Sequence, residues 1–237
     1  TPTLVFAGLE NSRNFKVYLN SNCSGSSPII NKNATSASMT ETLGTLSPDG
    51  QFQISVKVTD AAGNESPCSE ALAYTLDTAA PVAPAALNFN GMTSPSNDST
   101  PSFNVSLWTA NAGDTVSLYR TSCGSNLEAE TVVSSMSSAS VIVPLSATQA
   151  ISTAGSYNYY ARVTDAAGNA SPCTLRSFTY DNIAPTVSRV IATKVNGADF
   201  VSPDSLKSGD VLEFDVEFSE PLSFGGSRQA QVVWALN

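Results

Sequence analysis

The sequence contains no histidine, and only 13% of its 237 residues are charged. Without histidine, the chain cannot supply a Ser-His-Asp or Cys-His catalytic arrangement of its own. It also lacks an apolar run of about 18 residues, so no transmembrane helix is predicted. Basic residues number 11 against 20 acidic ones, and they are not clustered as binding to nucleic-acid phosphates requires. We therefore expect neither histidine-based catalysis nor nucleic-acid binding.

Other catalytic signatures are equally scarce. No Gly-rich phosphate loop occurs. Two carboxylates could hydrolyse a glycosidic bond, and the best candidates are Glu128 with Glu130, or the acidic residues of the C-terminal part of the chain. Glu128 and Glu130 lie in a polar, loop-like stretch with no sign of a pocket, so we interpret them as solvated charges. The chain is predicted not to be an enzyme.

An internal repeat is the strongest feature that the sequence does have. Residues 58–68 read VTDAAGNESPC and residues 163–173 read VTDAAGNASPC, identical at ten of eleven positions with an offset of 105. We align Lys16–Leu19 with Val116–Tyr119 in the same way. Both copies end in an Asp followed by Ala-Pro, at 77–81 and 181–185. The chain is thus predicted to contain a first unit (1–77), a second unit (78–181) and a third unit (182–237).

Alternating apolar residues predict antiparallel strands in all three units, and no helix. Seven strands are predicted in the second unit, about what a complete sandwich needs. The first unit lacks the roughly 20 residues that precede Thr100, and with them its opening strand. The third unit is too short for a sandwich. The predicted strands of the second unit cover 86–89, 103–107, 116–120, 131–133, 141–143, 157–163 and 177–180.

These features carry a family resemblance. The VTDAAGN-x-S-x-C run, the Asp-x-x-x-Pro linkers and the FSEP run at Phe218–Pro221 resemble the tandem bacterial Ig-like repeats of very large surface and secreted proteins. The resemblance implies tandem immunoglobulin-like β-sandwich domains in an extended array, at the cell surface and often in adhesion. Because FSEP has no counterpart in the first two units, the third is predicted to be an incomplete Ig-like domain of a different subtype.

The four cysteines occupy repeated positions. Each of the first two units has one cysteine after an early strand and one after VTDAAGN, so Cys23–Cys68 and Cys123–Cys173 repeat the same bridge. Each disulfide should stabilise its unit by about 4 kcal/mol on the chain-entropy model. The alternatives are buried free thiols, or a zinc site, which the absence of histidine and of CxxC spacing disfavours. Disulfides imply export through an oxidising compartment, and hence an extracellular location.

The DAAGN segment has two interpretations. In the structural one, Asp60 and Asp165 accept hydrogen bonds from nearby backbone amides in a tight turn. In the functional one, these carboxylates bind Ca²⁺, and the linker residues Asp77 and Asp181 complete the site between domains. The turn is favoured because the dense D-x-D-x-D spacing of a dedicated calcium loop is missing.

Three functional hypotheses follow. The first is a non-catalytic stalk or spacer of a bacterial surface adhesin-like protein, in contact with neighbouring Ig-like domains, with a host or neighbouring-cell surface ligand as a further partner. The second is a structural subunit of an extracellular fibre in which identical chains donate strands to one another. The third is a carbohydrate-binding accessory module, which would need exposed aromatic residues. Only Trp108 and Trp234 are available, and we expect both to pack in the core or at a sheet edge.

Overall fold

The computed structural model describes residues 2–9, 13–25, 27–109, 111–135, 140–195, 198–199, 207, 209 and 211–221. In this part the chain forms sixteen β-strands and a single 3-10 turn, Ala147–Gln149. The all-β prediction is therefore confirmed. Within the described residues, no helix has the length and apolar character that crossing a membrane requires.

The first unit is built from two antiparallel sheets. The pair β1 (Thr3–Ala7) and β4 (Ser38–Thr42) faces a four-stranded sheet. The order of that sheet is β3-β2-β5-β6, and its long strand β5 carries the alternating residues that precede the DAAGN segment. The strands of the larger sheet are β2 Asn14–Tyr18, β3 Ile30–Asn33, β5 Gly50–Thr59 and β6 Leu72–Leu76.

The second unit contains all seven predicted strands. One sheet has the order β11-β8-β7 and the other β10-β9-β12-β13, and every pairing between these strands is antiparallel. Two facing antiparallel sheets around one core are the architecture of an Ig-like sandwich. The strands are β7 Ala86–Phe89, β8 Ser102–Ser106, β9 Thr115–Ser122, β10 Ser125–Val132, β11 Ser140–Pro144, β12 Gly155–Thr164 and β13 Thr174–Tyr180.

The two sandwiches have separate cores of different size. Sixteen buried hydrophobic residues between Leu87 and Tyr180 form one cluster, and seven between Leu9 and Ile54 form the other. The sheets that enclose the two cores also differ. Strand β7 pairs with β8 and completes its sheet, whereas β1, the counterpart of β8, pairs only with β4 among the described residues. The division of the chain at 77–78 and 181–182 stays a prediction.

One part of our repeat alignment is wrong by one residue. Val17 lies opposite Val56 in the β2–β5 pair, and Leu118 lies opposite Ala161 in the β9–β12 pair. Val56 and Ala161 are 105 residues apart, so Val17 corresponds to Leu118 and not to Ser117. A one-residue slip moves every side chain to the opposite face of a sheet. Both Val17 and Leu118 are fully buried, which agrees with the corrected register.

The third unit contributes a three-stranded antiparallel sheet with the order β15-β14-β16. These strands are β14 Val187–Val195, β15 Ala198–Asp199 and β16 Leu212–Phe218. On β16, Asp215 and Glu217 are exposed while Phe214 and Val216 are half-buried, as the alternation predicts.

Candidate functional site

The VTDAAGN segment of the first unit forms a tight turn at the end of β5. One oxygen of Asp60 (Oδ1) accepts hydrogen bonds from the backbone N–H of Ala62 at 2.9 Å and of Asn64 at 2.8 Å. The other (Oδ2) accepts one from Nδ2 of Asn64 at 2.9 Å. Gly63 has φ of 91°, a left-handed conformation that glycine adopts without steric cost. The Asn64 side chain and the backbone donors hold the pKa of Asp60 below its usual value.

The second unit repeats this turn bond for bond at the end of β12. Oδ1 of Asp165 accepts hydrogen bonds from the backbone N–H of Ala167 at 2.9 Å and of Asn169 at 2.8 Å. Its Oδ2 accepts one from Nδ2 of Asn169 at 3.0 Å. The pKa of Asp165 is lowered in the same way, chiefly by the Asn169 side chain. The motif therefore encodes a closed network of side-chain and backbone bonds.

A serine that our sequence reasoning did not single out extends each turn. The side-chain oxygen of Ser66 accepts a hydrogen bond from the backbone N–H of Val58 at 3.1 Å, and Ser171 does the same for Val163 at 3.0 Å. Each serine thus accepts a bond from a backbone N–H that lies beyond the residues paired with β6 in the first unit or with β13 in the second. Their identity in the two copies of the motif was the signal that could have found them.

The four candidate calcium ligands all lie in local turns. Asp77 Oδ1 accepts a hydrogen bond from the backbone N–H of Ala79 at 3.0 Å, and Asp181 Oδ1 accepts one from Ile183 at 3.1 Å. Across the described ranges, no three or more acidic or cysteine side chains group together in a way that could hold a metal ion. Both carboxylate oxygens of Asp60 and of Asp165 accept bonds from donors of their own turns. These contacts favour the turn, and the calcium site stays a prediction.

The linker between the first two units is bound to both of them. Thr78 donates from its backbone N–H to Asp49 Oδ2 at 2.9 Å and from its hydroxyl to Asp49 Oδ1 at 2.8 Å. Asp49 belongs to the first unit, just before β5. On the other side, the backbone carbonyl of Asp77 accepts a hydrogen bond from Nδ2 of Asn169 at 3.1 Å, across 92 residues of sequence. Asn169 therefore closes its own turn and also holds the linker.

The far end of the linker is anchored as well. The carbonyl of Pro84 accepts a hydrogen bond from the hydroxyl of Thr174 at 2.5 Å. The backbone N–H of Ala85 then donates to the carbonyl of Ser106 at 2.8 Å, where the chain enters β7. Five residues, 79–83, lie between these contacts, and the ring of Pro81 fixes one of their backbone torsions.

Both units are closed by a disulfide. Cys23 is bonded to Cys68, with their Cα atoms 5.7 Å apart, and Cys123 is bonded to Cys173, with their Cα atoms 6.0 Å apart. This is the pairing that the repeat predicts, and it accounts for all four cysteines. Each bridge joins the loop after the DAAGN turn to the segment after the neighbouring strand of the same sheet, β2 or β9. It therefore fixes the position of the turn.

Our placement of Glu128 and Glu130 in a loop is wrong. Glu130 is exposed, as a solvated charge should be, whereas Glu128 is not. Both lie on β10, an edge strand whose polar residues hid its alternation. Glu128 is only 8% exposed, and it pairs with Nε of Arg120 on β9 at 2.9 Å. Glu130 accepts a hydrogen bond from the Ser117 hydroxyl at 2.8 Å. Tyr159 lies on β12 of the same sheet and is fully buried, and burial raises its pKa to about 12. The hairpin fold gives these carboxylates structural partners.

The expectation that Trp108 packs in the core or at an edge is also wrong. Trp108 is 74% exposed, directly after the buried Leu107 at the end of β8. Where the strand ends, the chain leaves the sheet and the next side chain points to solvent. Trp234 lies outside the described residues.

The chain matches one family of known proteins. The sequence profile of a family described as the bacterial Ig-like domain matches residues 12–75 and 85–182. No curated protein sequence matches the chain.

Several solved structures match the chain at low sequence identity. The FN1–FN3 domains of chicken CNTN1 are 13% identical with a TM-score of 0.45, and the match covers 73% of this chain and 57% of that one. A tetra-tandem repeat from the extending region of a large adhesion protein is 17% identical with a TM-score of 0.31, covering 79% and 47%. The human OSCAR ligand-binding domain is 15% identical with a TM-score of 0.30, covering 75% and 88%. The chain thus spans about half the length of the first two structures.

Proposed function

Because this chain belongs to the bacterial Ig-like domain family, we propose that it is a non-catalytic spacer segment of an extracellular, adhesin-like surface protein. The observation that carries this proposal is the linker at 77–85, which is hydrogen-bonded to the sandwich before it and to the sandwich after it. A proline-containing linker with few free torsions transmits orientation between domains. A spacer needs that property because a flexible joint would let the array fold back on itself.

The disulfides support an extracellular place for this spacer. Bridges of this kind persist in oxidising compartments and are rare in the cytosol. They close loops of 45 and 50 residues, which corresponds to about 4 kcal/mol for each unit on the chain-entropy model. A unit that has to stay folded outside the cell gains from this stabilisation.

Residual dipolar couplings test the stiffness of the joint. In the full chain, we expect the first two units to share one alignment tensor. The variant Asp49→Ala removes both bonds to Thr78 and should separate the two tensors. Asp98→Ala is a matched control, because Asp98 likewise accepts bonds from the N–H and the hydroxyl of a threonine, Thr100, but lies away from the linker. Independent tensors in the wild-type chain would refute the stiff-spacer proposal.

A fibre subunit is the second candidate, in which identical chains donate strands to one another at an edge such as that of β1, where Val5 is 71% exposed. Light scattering after size exclusion distinguishes the two candidates. The spacer predicts a monomer of 24.6 kDa, and strand donation predicts assemblies.

A carbohydrate-binding module is the third candidate, and the exposed Trp108 is the observation in its favour. Sugars stack on exposed aromatic rings. Binding on a glycan array that Trp108→Ala abolishes would support it, and a silent array would remove it.

A further inference from the structure

The two DAAGN turns have the same internal bonds but differ in the hydrogen bonds that they make to residues outside the turn. Each asparagine side-chain amide has two N–H donors. In the second unit one donor of Asn169 goes to Asp165 and another to the carbonyl of Asp77 in the preceding linker. In the first unit Asn64 donates to Asp60 in the same way, and no acceptor for a second bond lies among the described residues.

Exposure of the two turns differs accordingly. Asn169 is half-buried while Asn64 is exposed, and Val163 is 1% exposed while Val58 is only half-buried. The motifs are identical at these positions, so the difference comes from what packs against each turn.

An open surface depression of about 310 Å³ (the cavity) lies at the turn of the first unit. Four of its lining residues have identical counterparts 105 residues later, in the turn that holds Asp77. The cavity is lined by Arg13, Val58, Asp60, Asn64, Glu65 and Ser66.

We infer that this cavity is a docking site for the linker of another Ig-like repeat, located before the first unit in the same polypeptide. Nδ2 of Asn64 donates to a backbone carbonyl of that linker, as Asn169 donates to Asp77. A linker rich in proline suits the site because proline lacks an N–H, which leaves neighbouring carbonyls without local partners. The inference rests on the proposed spacer function, and it assigns the DAAGN asparagine as the residue that links one repeat to the next.

A tandem duplication tests this inference. A second copy of residues 1–99 is fused to the N-terminus of the full chain, so that Ser99 of the added copy precedes Thr1 as it normally precedes Thr100. The added linker can then reach Asn64 of the downstream copy, while Asn64 of the upstream copy has no linker before it. We expect the side-chain amide protons of the downstream Asn64 to exchange roughly fivefold more slowly than those of the upstream Asn64, as one hydrogen bond implies.

Substitution of the same residue in either copy supplies the control. Asn64→Ala in the downstream copy should separate the alignment tensors at the new joint. Asn64→Ala in the upstream copy causes the same local damage to a turn and should leave that joint stiff.

Three outcomes would overturn the inference: equal exchange in both copies, a joint that stays stiff in both variants, or concentration-dependent protection of Asn64 in the unmodified chain, which would mean docking between molecules. A flexible joint at 77–85 would instead refute the spacer function, so the two failures can be told apart.

Discussion

Replacing Leu118 with alanine should destabilise the second unit and leave the first unaffected. Leu118 is fully buried on β9 and belongs to the sixteen-residue core. Core Leu→Ala substitutions cost about 2.7–5.0 kcal/mol, because transfer energy is lost and a cavity is left. A domain of this size has a total stability of about 5–15 kcal/mol. Each kcal/mol lowers the melting temperature by about 4–8 °C, so a fall of roughly 10–40 °C is expected for the second unit.

The first unit should keep its stability because its core shares no residue with the second. Hydrogen exchange followed by mass spectrometry measures both units in one sample, provided that the disulfides stay intact until the quench. Peptides from β9, β12 and β13 should lose protection, and peptides from β2 and β5 should not. Leu127→Ala is the matched control, because this leucine lies on the neighbouring strand β10 and is 51% exposed. It should change stability by no more than about 0.5 kcal/mol.

Equal loss of protection in both units would refute the reasoning. The two sandwiches would then unfold as one cooperative block, and the hydrogen-bonded linker would transmit stability as well as orientation. A Leu118→Ala variant as stable as the control would contradict the buried position of this side chain.

Three further predictions concern the bridges, the turns and the metal. Thiol labelling under denaturing, non-reducing conditions should detect no reactive cysteine, and two or more thiols per chain would contradict the pairing. The pKa of Asp60 and Asp165 is lower in the folded chain than the value of about 3.9 for an unfolded aspartate. The folded chain should therefore lose stability as the pH falls from about 5 through 3.9 toward these lowered values. Acid titration of the double variant Asp60→Asn, Asp165→Asn should show a weaker dependence. Excess chelator should leave the melting curve unchanged if these residues only form turns, whereas calcium at one hundred times its dissociation constant would contribute about 2.7 kcal/mol.

The sequence alone predicted the features that depend on neighbouring residues. Period-two alternation located six of the seven strands of the second unit and only the end of β10, because a strand with one buried face shows its pattern locally. The DAAGN turn was predicted from its aspartate and glycine, whose bonding partners lie within four residues. Comparison of the two copies gave the disulfide pairing, since a repeated position in a repeated fold has the same partner.

Tertiary structure decided the features that depend on which segments meet. The register of Val17 became clear only when β5 lay beside β2. Glu128 is a buried ion-pair partner only because a hairpin places Arg120 next to it. Asn169 reaches Asp77 across 92 residues, through a hydrogen bond that no local pattern contains. The side-chain amide of asparagine has two N–H donors, and the turn motif specifies the acceptor for one of them. The acceptor for the second donor is determined by how a unit packs against the linker from the unit before it.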